Sequence, residues 1–518
     1  MPQKNTIISS NQLIEILLIL SIIVLTGITS LAQNKNEVNV LSYGAVPDGK
    51  TLNQIFIQKA IDEINNIGGG KVIIPKGKFL SGSIILKTNV ELCLEKEAVL
   101  LGSTNPYNYS SIGRWKALVL AEGQDNISIT GDGIIDGQGR KLALNADSLF
   151  YAGNLDSTFY NLRRKRPNEY MRPQLIEFVN CSNIKVIGVT IKDASSWVQS
   201  YEKCKNLKID NITVDSDAYW NNDGIDIIDC KNVSITNSSV NSADDGICLK
   251  SEYSETFNDS IYIANCIVRS SASAIKFGTS SKGGFKNVKI ENIKVYDTFR
   301  SAIALESVDG GILENIEVNN IFAVNTGNAI FIKLGHRNKD GKVGTLKNIH
   351  ISNIRVQIPF ETPDLEYDIR GPQLGFFHNP FPASITGMPG YFIENVVLEN
   401  IDIIYPGRGN DGLAIIPLNR LNDVPESENE YPEFHMFGEL PAWAFYVRHV
   451  KGLKMKNINV RAEKPDYRPA FVFDDVSDLT LNKIEINEEA NKHQIILNNV
   501  SDQEIDERTS QQILELNK

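Results

Sequence analysis

"KNLKIDNITVDS", residues 205–216, returns 26 residues later as "KNVSITNSSVNS", residues 231–242. Both alternate apolar and polar residues with the period of two that marks a half-buried strand. Both also carry Asn in the middle, Asn211 and Asn237. Variants precede them, "DNISITGDGIIDG" (125–137) and "SNIKVIGVTIKD" (182–193). Others follow: "KNVKIENIKVYD" (286–297), "ENIEVNNIFAVN" (314–325), "KNIHISNIRVQI" (347–358), "ENVVLENIDIIY" (394–405) and "KGLKMKNINVRA" (451–462). Early copies are spaced by 26 to 28 residues, with longer gaps after Asn320. A period of this length in strand-like units indicates a solenoid. No copy has helical periodicity, which excludes helical repeats. The expected fold is all-β, a right-handed parallel β-helix. The mid-repeat Asn would lie at a bend, its side chain bonding neighbouring backbone.

Upstream, "NVLSYGAVPDGKTLNQIFIQKAIDEINNIGGGKVIIP" (39–75) reads as strand, turn, helix, glycine turn and strand. Ile57, Ala60, Ile61 and Ile64 fall at helical spacing over 53–66, and this short helix is a cap for the first coil. Further upstream, "ILLILSIIVLTGI" (16–28) is uncharged and too short to span a bilayer comfortably. Ser30 and Ala32 then fit the small-x-small cleavage pattern of a secretory signal, with Lys4 as its positive region. The expectation is a signal over 1–32 and export to the periplasm or beyond, without stable membrane insertion. The rest divides into cap and first coils (33–121), a catalytic repeat region with loop insertions (122–490) and a C-terminal tail (491–518). Cys181, Cys204 and Cys230 share one place in the repeat, so the cysteines are expected to be mostly buried thiols rather than zinc ligands.

Over 518 residues, 42% hydrophobic and 22% charged content is that of a soluble globular protein. A net charge of −11 argues against a nucleic-acid partner, which calls for a basic bias.

Chemistry enters with "NNDGIDI" (221–227) and "ADDGICL" (243–249). If coils stack about 4.8 Å apart, equivalent positions form columns. Aligning "DGIDI" (223–227), "DGICL" (245–249), "SAIKF" (273–277), "SAIAL" (301–305) and "NAIFI" (328–332) puts Ile225, Ile247, Ile275, Ile303 and Ile330 in one inward column. Ile227, Leu249, Phe277, Leu305 and Ile332 form another. The alternate columns then face outward, which makes Asp223 and Asp245 neighbours with Asp244 beside them. Asp-Gly pairs also make ordinary turns, and a metal ion is another way to neutralise crowded carboxylates. The catalytic reading is that crowding raises one pKa, leaving a protonated general acid beside an ionised group that activates water.

These residues resemble glycoside hydrolase family 28, the polygalacturonase-like pectin hydrolases. The resemblance rests on Asn221–Asp223, on Asp244-Asp245 about one coil later, on "RPQLIEFVNCSNIKVIGVTIKDASSWVQS" before them, and on the cap segment "YGAVPDGKTLNQIFIQKAID". It spans roughly residues 38–485. It implies Asp244 as proton donor, Asp223 and Asp245 holding the attacking water with inversion, Asn221 fixing the site, and no metal or cofactor. Two departures stand out. The family's Gly-His-Gly falls at Ala272-Ser273-Ala274, and its carboxylate-gripping Arg-Ile-Lys at Ala304-Leu305-Glu306. Lys276, one coil before Ala304, is a candidate replacement cation, whereas Lys250 and Lys333 are expected to be solvated. Asp226, Ser273 and Arg337 complete the candidate substrate-binding set.

Excursions at 140–172, 357–392 and 405–447 interrupt the repeats, and long insertions of this kind are usually functional. Their Phe150, Tyr151, Tyr160, Phe376, Phe377, Phe381, Trp443 and Tyr446 suit sugar rings, and "RRKR" (163–166) suits an acidic glycan or a solvated loop. The expected protein is a secreted, monomeric, exo-acting hydrolase of a pectin-type polysaccharide. The alternatives are a calcium-dependent β-helix lyase and a non-catalytic carbohydrate-binding β-helix.

Overall fold

A computed structural model of the chain describes residues 36–338, 341–364, 378–410, 416–487 and 493–516. The segment read as a signal, with Phe376 and Phe377, lies outside them. Repeats become the coils of a parallel β-helix. One face runs through Gln174–Val179, Gln199–Glu202, Ile225–Ile228, Ile247–Ser251 and Ile275–Ser281, in parallel register throughout. A second stacks Ser182–Ile187, Lys205–Asp210 and Lys231–Thr236. A third stacks Thr190–Lys192, Thr213–Ser216 and Ser239–Ser242. The winding continues through Ile495–Ile505 and Ile513–Glu515, inside the segment set apart above as a tail. At the other end the helix Gln54–Asn66 buries Ile57, Ala60, Ile61 and Ile64 in the same core.

The bend between second and third faces is made by a single left-handed residue per coil. Asn211, Asn237, Asn265, Asn292 and Asn320 have φ between 53° and 58° there, a conformation Asn tolerates better than most side chains. The Asn237 amide donates to Asp210, and from Asn237 onward these side chains bond one another rather than backbone. Asn265 donates to Asn237 at 3.3 Å, Asn292 to Asn265 at 3.1 Å and Asn320 to Asn292 at 2.7 Å, so the repeat builds a side-chain ladder.

Both inward columns are buried along their length, and register pairs their members as aligned. Cys181, Cys204 and Cys230 are buried free thiols, and Cys93 is half-buried. The outward columns are not solvated throughout. Leu421, Val424, Phe434, Phe437 and Leu440 from the last excursion, with Phe381, pack over Ala304, Phe331, Tyr446, Val472 and Ile496 as a second apolar cluster. This cover corrects two expectations. Lys333 is 1% exposed and donates to the Glu426 carbonyl. Phe381, Trp443 and Tyr446 are buried packing residues, not open platforms for sugar. Among the described residues, no helix is long and apolar enough to cross a membrane.

Candidate active site

The three aspartates lie on the first face among buried polar side chains, with Asp223 and Asp245 each 4% exposed. Asp223 ends a turn fixed by the fully buried Asn222. That amide donates to the Ala194 and Ser196 carbonyls, and its oxygen accepts from Ser216 and from the Tyr219 N–H. One coil on, Ser242 and Ser270 hydroxyls hold the Asp244 carbonyl at 2.8 and 2.6 Å. Asp244 Oδ1 accepts the Asp245 N–H at 3.1 Å, and Asp245 Oδ1 accepts the Ser273 N–H at 3.1 Å. Thus Ser273 reaches the site through its backbone. The nearest carboxylate oxygens of Asp223, Asp244 and Asp245 lie within 4.8 Å of one another.

Two buried lysines separate the roles of the three. Lys250 bonds Asp223 Oδ2 at 2.8 Å and also Asp226 Oδ1, under the Trp197 ring at 4.5 Å. Lys276 lies 3.4 Å from Glu306 Oε1 and 3.9 Å from Asp245 Oδ2, with its Nζ 5.3 Å from the Tyr431 ring. Lys250 is 7% and Lys276 1% exposed, so the expectation of a solvated Lys250 fails, and Lys276 is turned towards carboxylates instead of open solvent. An ammonium between Asp223 and Asp226 takes the place a metal ion would occupy in the grouping of those two with Cys248. Asp244 has no lysine or arginine among its described salt-bridge partners; burial, then the charges of Asp223 and Asp245, push it up to about 7. Burial raises Asp223 as well, to about 7, against the opposing pull of Lys250. Burial likewise raises Asp226, to about 6.

Asn221 has left-handed backbone (φ 58°), and its side-chain oxygen accepts from Arg166 at 3.0 Å and Arg172 at 3.1 Å. Arg166, the last residue of the "RRKR" run, is buried over the Trp220 ring, whereas the three before it are exposed. Arg337 forks onto Asp309 at 3.0 and 2.7 Å. Arg300 pairs with Glu433 at 2.7 Å, tying the last excursion to the coil that follows Ser273. On the N-terminal side, Arg114 meets Glu252 at 3.4 Å, and the Trp115 N–H donates to Glu177 at 2.9 Å. Each of these ties fixes a loop to a coil near the aspartates.

Lys250, Trp197 and Trp115 were not picked out as site residues. Lys250 had a signal, because residues two apart share a face and Cys248 already stood in an outward column. Trp197 had one too, since continuing the Asp223 column back by one coil lands on it. Trp115 sits on a loop with no repeat to place it.

Residues 65–358 match the family described as glycosyl hydrolases family 28. A probable polygalacturonase of Vitis vinifera is 26% identical over 62% of this chain and 61% of its own length, so the chain spans about three fifths of that relative. An exo-poly-alpha-D-galacturonosidase of Dickeya chrysanthemi is 24% identical over 70% of this chain and 71% of its own. Among solved structures, a hyperthermoactive exopolygalacturonase from Thermotoga maritima has a TM-score of 0.59 at 24% identity, covering 71% of this chain and 86% of that one. A family 28 exopolygalacturonase from Yersinia enterocolitica has a TM-score of 0.56 at 20% identity, covering 91% and 78%. These two likenesses carry the β-helix fold.

Proposed function

The chain belongs to glycosyl hydrolases family 28, and we propose that it is an exo-acting O-glycosyl hydrolase of a galacturonan-type pectic polysaccharide or its oligosaccharides. One observation carries this reading: three carboxylates meet on a floor where buried lysines face two of them and leave the third without one. Asp244 donates its proton to the glycosidic oxygen. Asp223, paired with Lys250, and Asp245, facing Lys276, orient and deprotonate the water. Oxygens within 4.8 Å leave room for one water accepted by both at about 2.7 Å each. Asn221, Asp226 and the Ser273 backbone hold this constellation, with Lys276 acting on Asp245. Relatives named as exopolygalacturonase or exo-galacturonosidase, and the loops at both ends of the floor, support exo action on short chain ends. Export through the N-terminal segment, with cleavage after about residue 32, belongs to the same proposal.

One observation favours a second reading. The acid-to-base approach is shorter than the about 6.5–9.5 Å usual between carboxyl groups of inverting glycosidases, and by that rule a retaining enzyme is the alternative. The first test is release of reducing ends from galacturonan and its oligomers by the purified chain and by Asp244→Asn. Loss of release in the variant, with no product absorbing in the ultraviolet, is expected. Equal release by the variant contradicts the assignment, and an unsaturated product points to a lyase.

A further inference from the structure

Trp197 continues the column of Asp223 one coil towards the N-terminus: Ser200 pairs with Asp226, and the Val198 N–H donates to the Asp223 carbonyl at 2.9 Å. Its indole covers Lys250 on one side and meets Trp115 edge-on, with centroids 5.9 Å apart and planes at 64°. Both indoles are half-buried, unlike Trp443 in the core. Trp115 is fixed from behind by its backbone bond to Glu177, while the Arg114 guanidinium lies 4.7 Å over its ring and reaches Glu252. Two polar atoms of this corner, Trp115 Nε1 and Glu177 Oε2, are buried without a hydrogen-bond partner, and Glu177 is 2% exposed. A buried polar group without a partner is costly, so such groups mark places completed by water or ligand. An aromatic corner held rigid by ion pairs, one coil from the catalytic carboxylates, matches the C–H face and hydroxyl edge of a sugar ring.

We propose that the Trp115–Trp197 corner is a sugar subsite, taking the pyranose unit on the N-terminal side of the bond cleaved. The ring stacks on Trp197, and a hydroxyl reaches the polar edge formed by Trp115 and Glu177. This rests on the hydrolase reading for the position of the bond cleaved, but binding is measurable without turnover. In the full chain carrying Asp244→Asn, galacturonan oligomers are titrated against tryptophan fluorescence, with neutral hexose oligomers as a separate arm. In the otherwise native chain, Trp197→Ala and Trp115→Ala are expected to raise KM about tenfold or more and to change kcat far less. Trp197→Phe, which keeps a ring over Lys250, is expected to recover most of the affinity. Melting curves identify variants that fail to fold; for those, Phe replacements and the titration decide. Unchanged KM in both alanine variants, or a fluorescence response that survives both, overturns the subsite. Oligomer binding that depends on both indoles, without any hydrolysis by the native chain, supports the subsite and rejects the hydrolase reading.

Discussion

Asp244 and Asp223 sit on adjacent coils but face different partners, and the proposed mechanism gives them different roles. Replacing Asp244 by Asn removes the proposed proton donor without changing shape. The rate kcat is expected to fall by about 10²–10⁴ while the melting temperature holds. Asp223 must be ionised to take a proton, so activity disappears as pH falls through its pKa. Lys250→Met removes the ammonium that opposes the burial of Asp223 and leaves Asp226, Asp244 and Asp245 facing it. Its pKa then rises, and the acidic limb of kcat/KM moves to higher pH. Breaking a buried pair also costs about 3–5 kcal/mol, read as a lower melting temperature. Lys250→Arg restores both in part. An unshifted acidic limb in the Met variant contradicts the role given to Lys250. The three aspartates were legible in the sequence because the repeat aligned them. Their counter-ions were not, because a lysine in an outward column looks solvated until the cover over that face is known.

At the scale of elements, the bends depend on left-handed asparagines that donate to one another along the stack. Asn292→Ala loses the Asn265 and Asn320 contacts and puts a Cβ-restricted residue at φ 58°. The backbone part costs about 1–2 kcal/mol. Asn292→Gly keeps the φ angle and loses only the hydrogen bonds, about 1 kcal/mol. Denaturant melts that rank Ala below Gly below native check this; equal effects contradict it. The ladder's position was readable from the repeat, since Asn recurs in the middle of most copies. Its partners were not, since a single strand does not say that equivalent amides meet across coils. The last excursion illustrates the opposite limit. From sequence Phe381 and Tyr446 suit sugar rings, and only their packing with Ala304 and Phe331 shows them to be buried.

For the whole molecule, exo action requires that the long solenoid be blocked on either side of the aspartates. In the proposed reading the loops held by the Arg300–Glu433 and Arg114–Glu252 pairs supply that block. Product profiles on long galacturonan should show mono- or disaccharides from the outset with slow loss of viscosity; an early ladder of mid-length oligomers contradicts the closed ends. Loss of the family's Arg-x-Lys grip at Ala304 and Glu306 belongs to the same remodelling. Ala304 lies under the apolar cover, and Glu306 is paired with Lys276. In the proposed mechanism Asp244 protonates the leaving oxygen while Asp223 and Asp245 deliver water to the opposite face. Proton NMR during the first turnovers of a galacturonan oligomer tests it most directly. The first hemiacetal released is expected to have the anomeric configuration opposite to that of the bond cleaved; first release with retained configuration contradicts this mechanism.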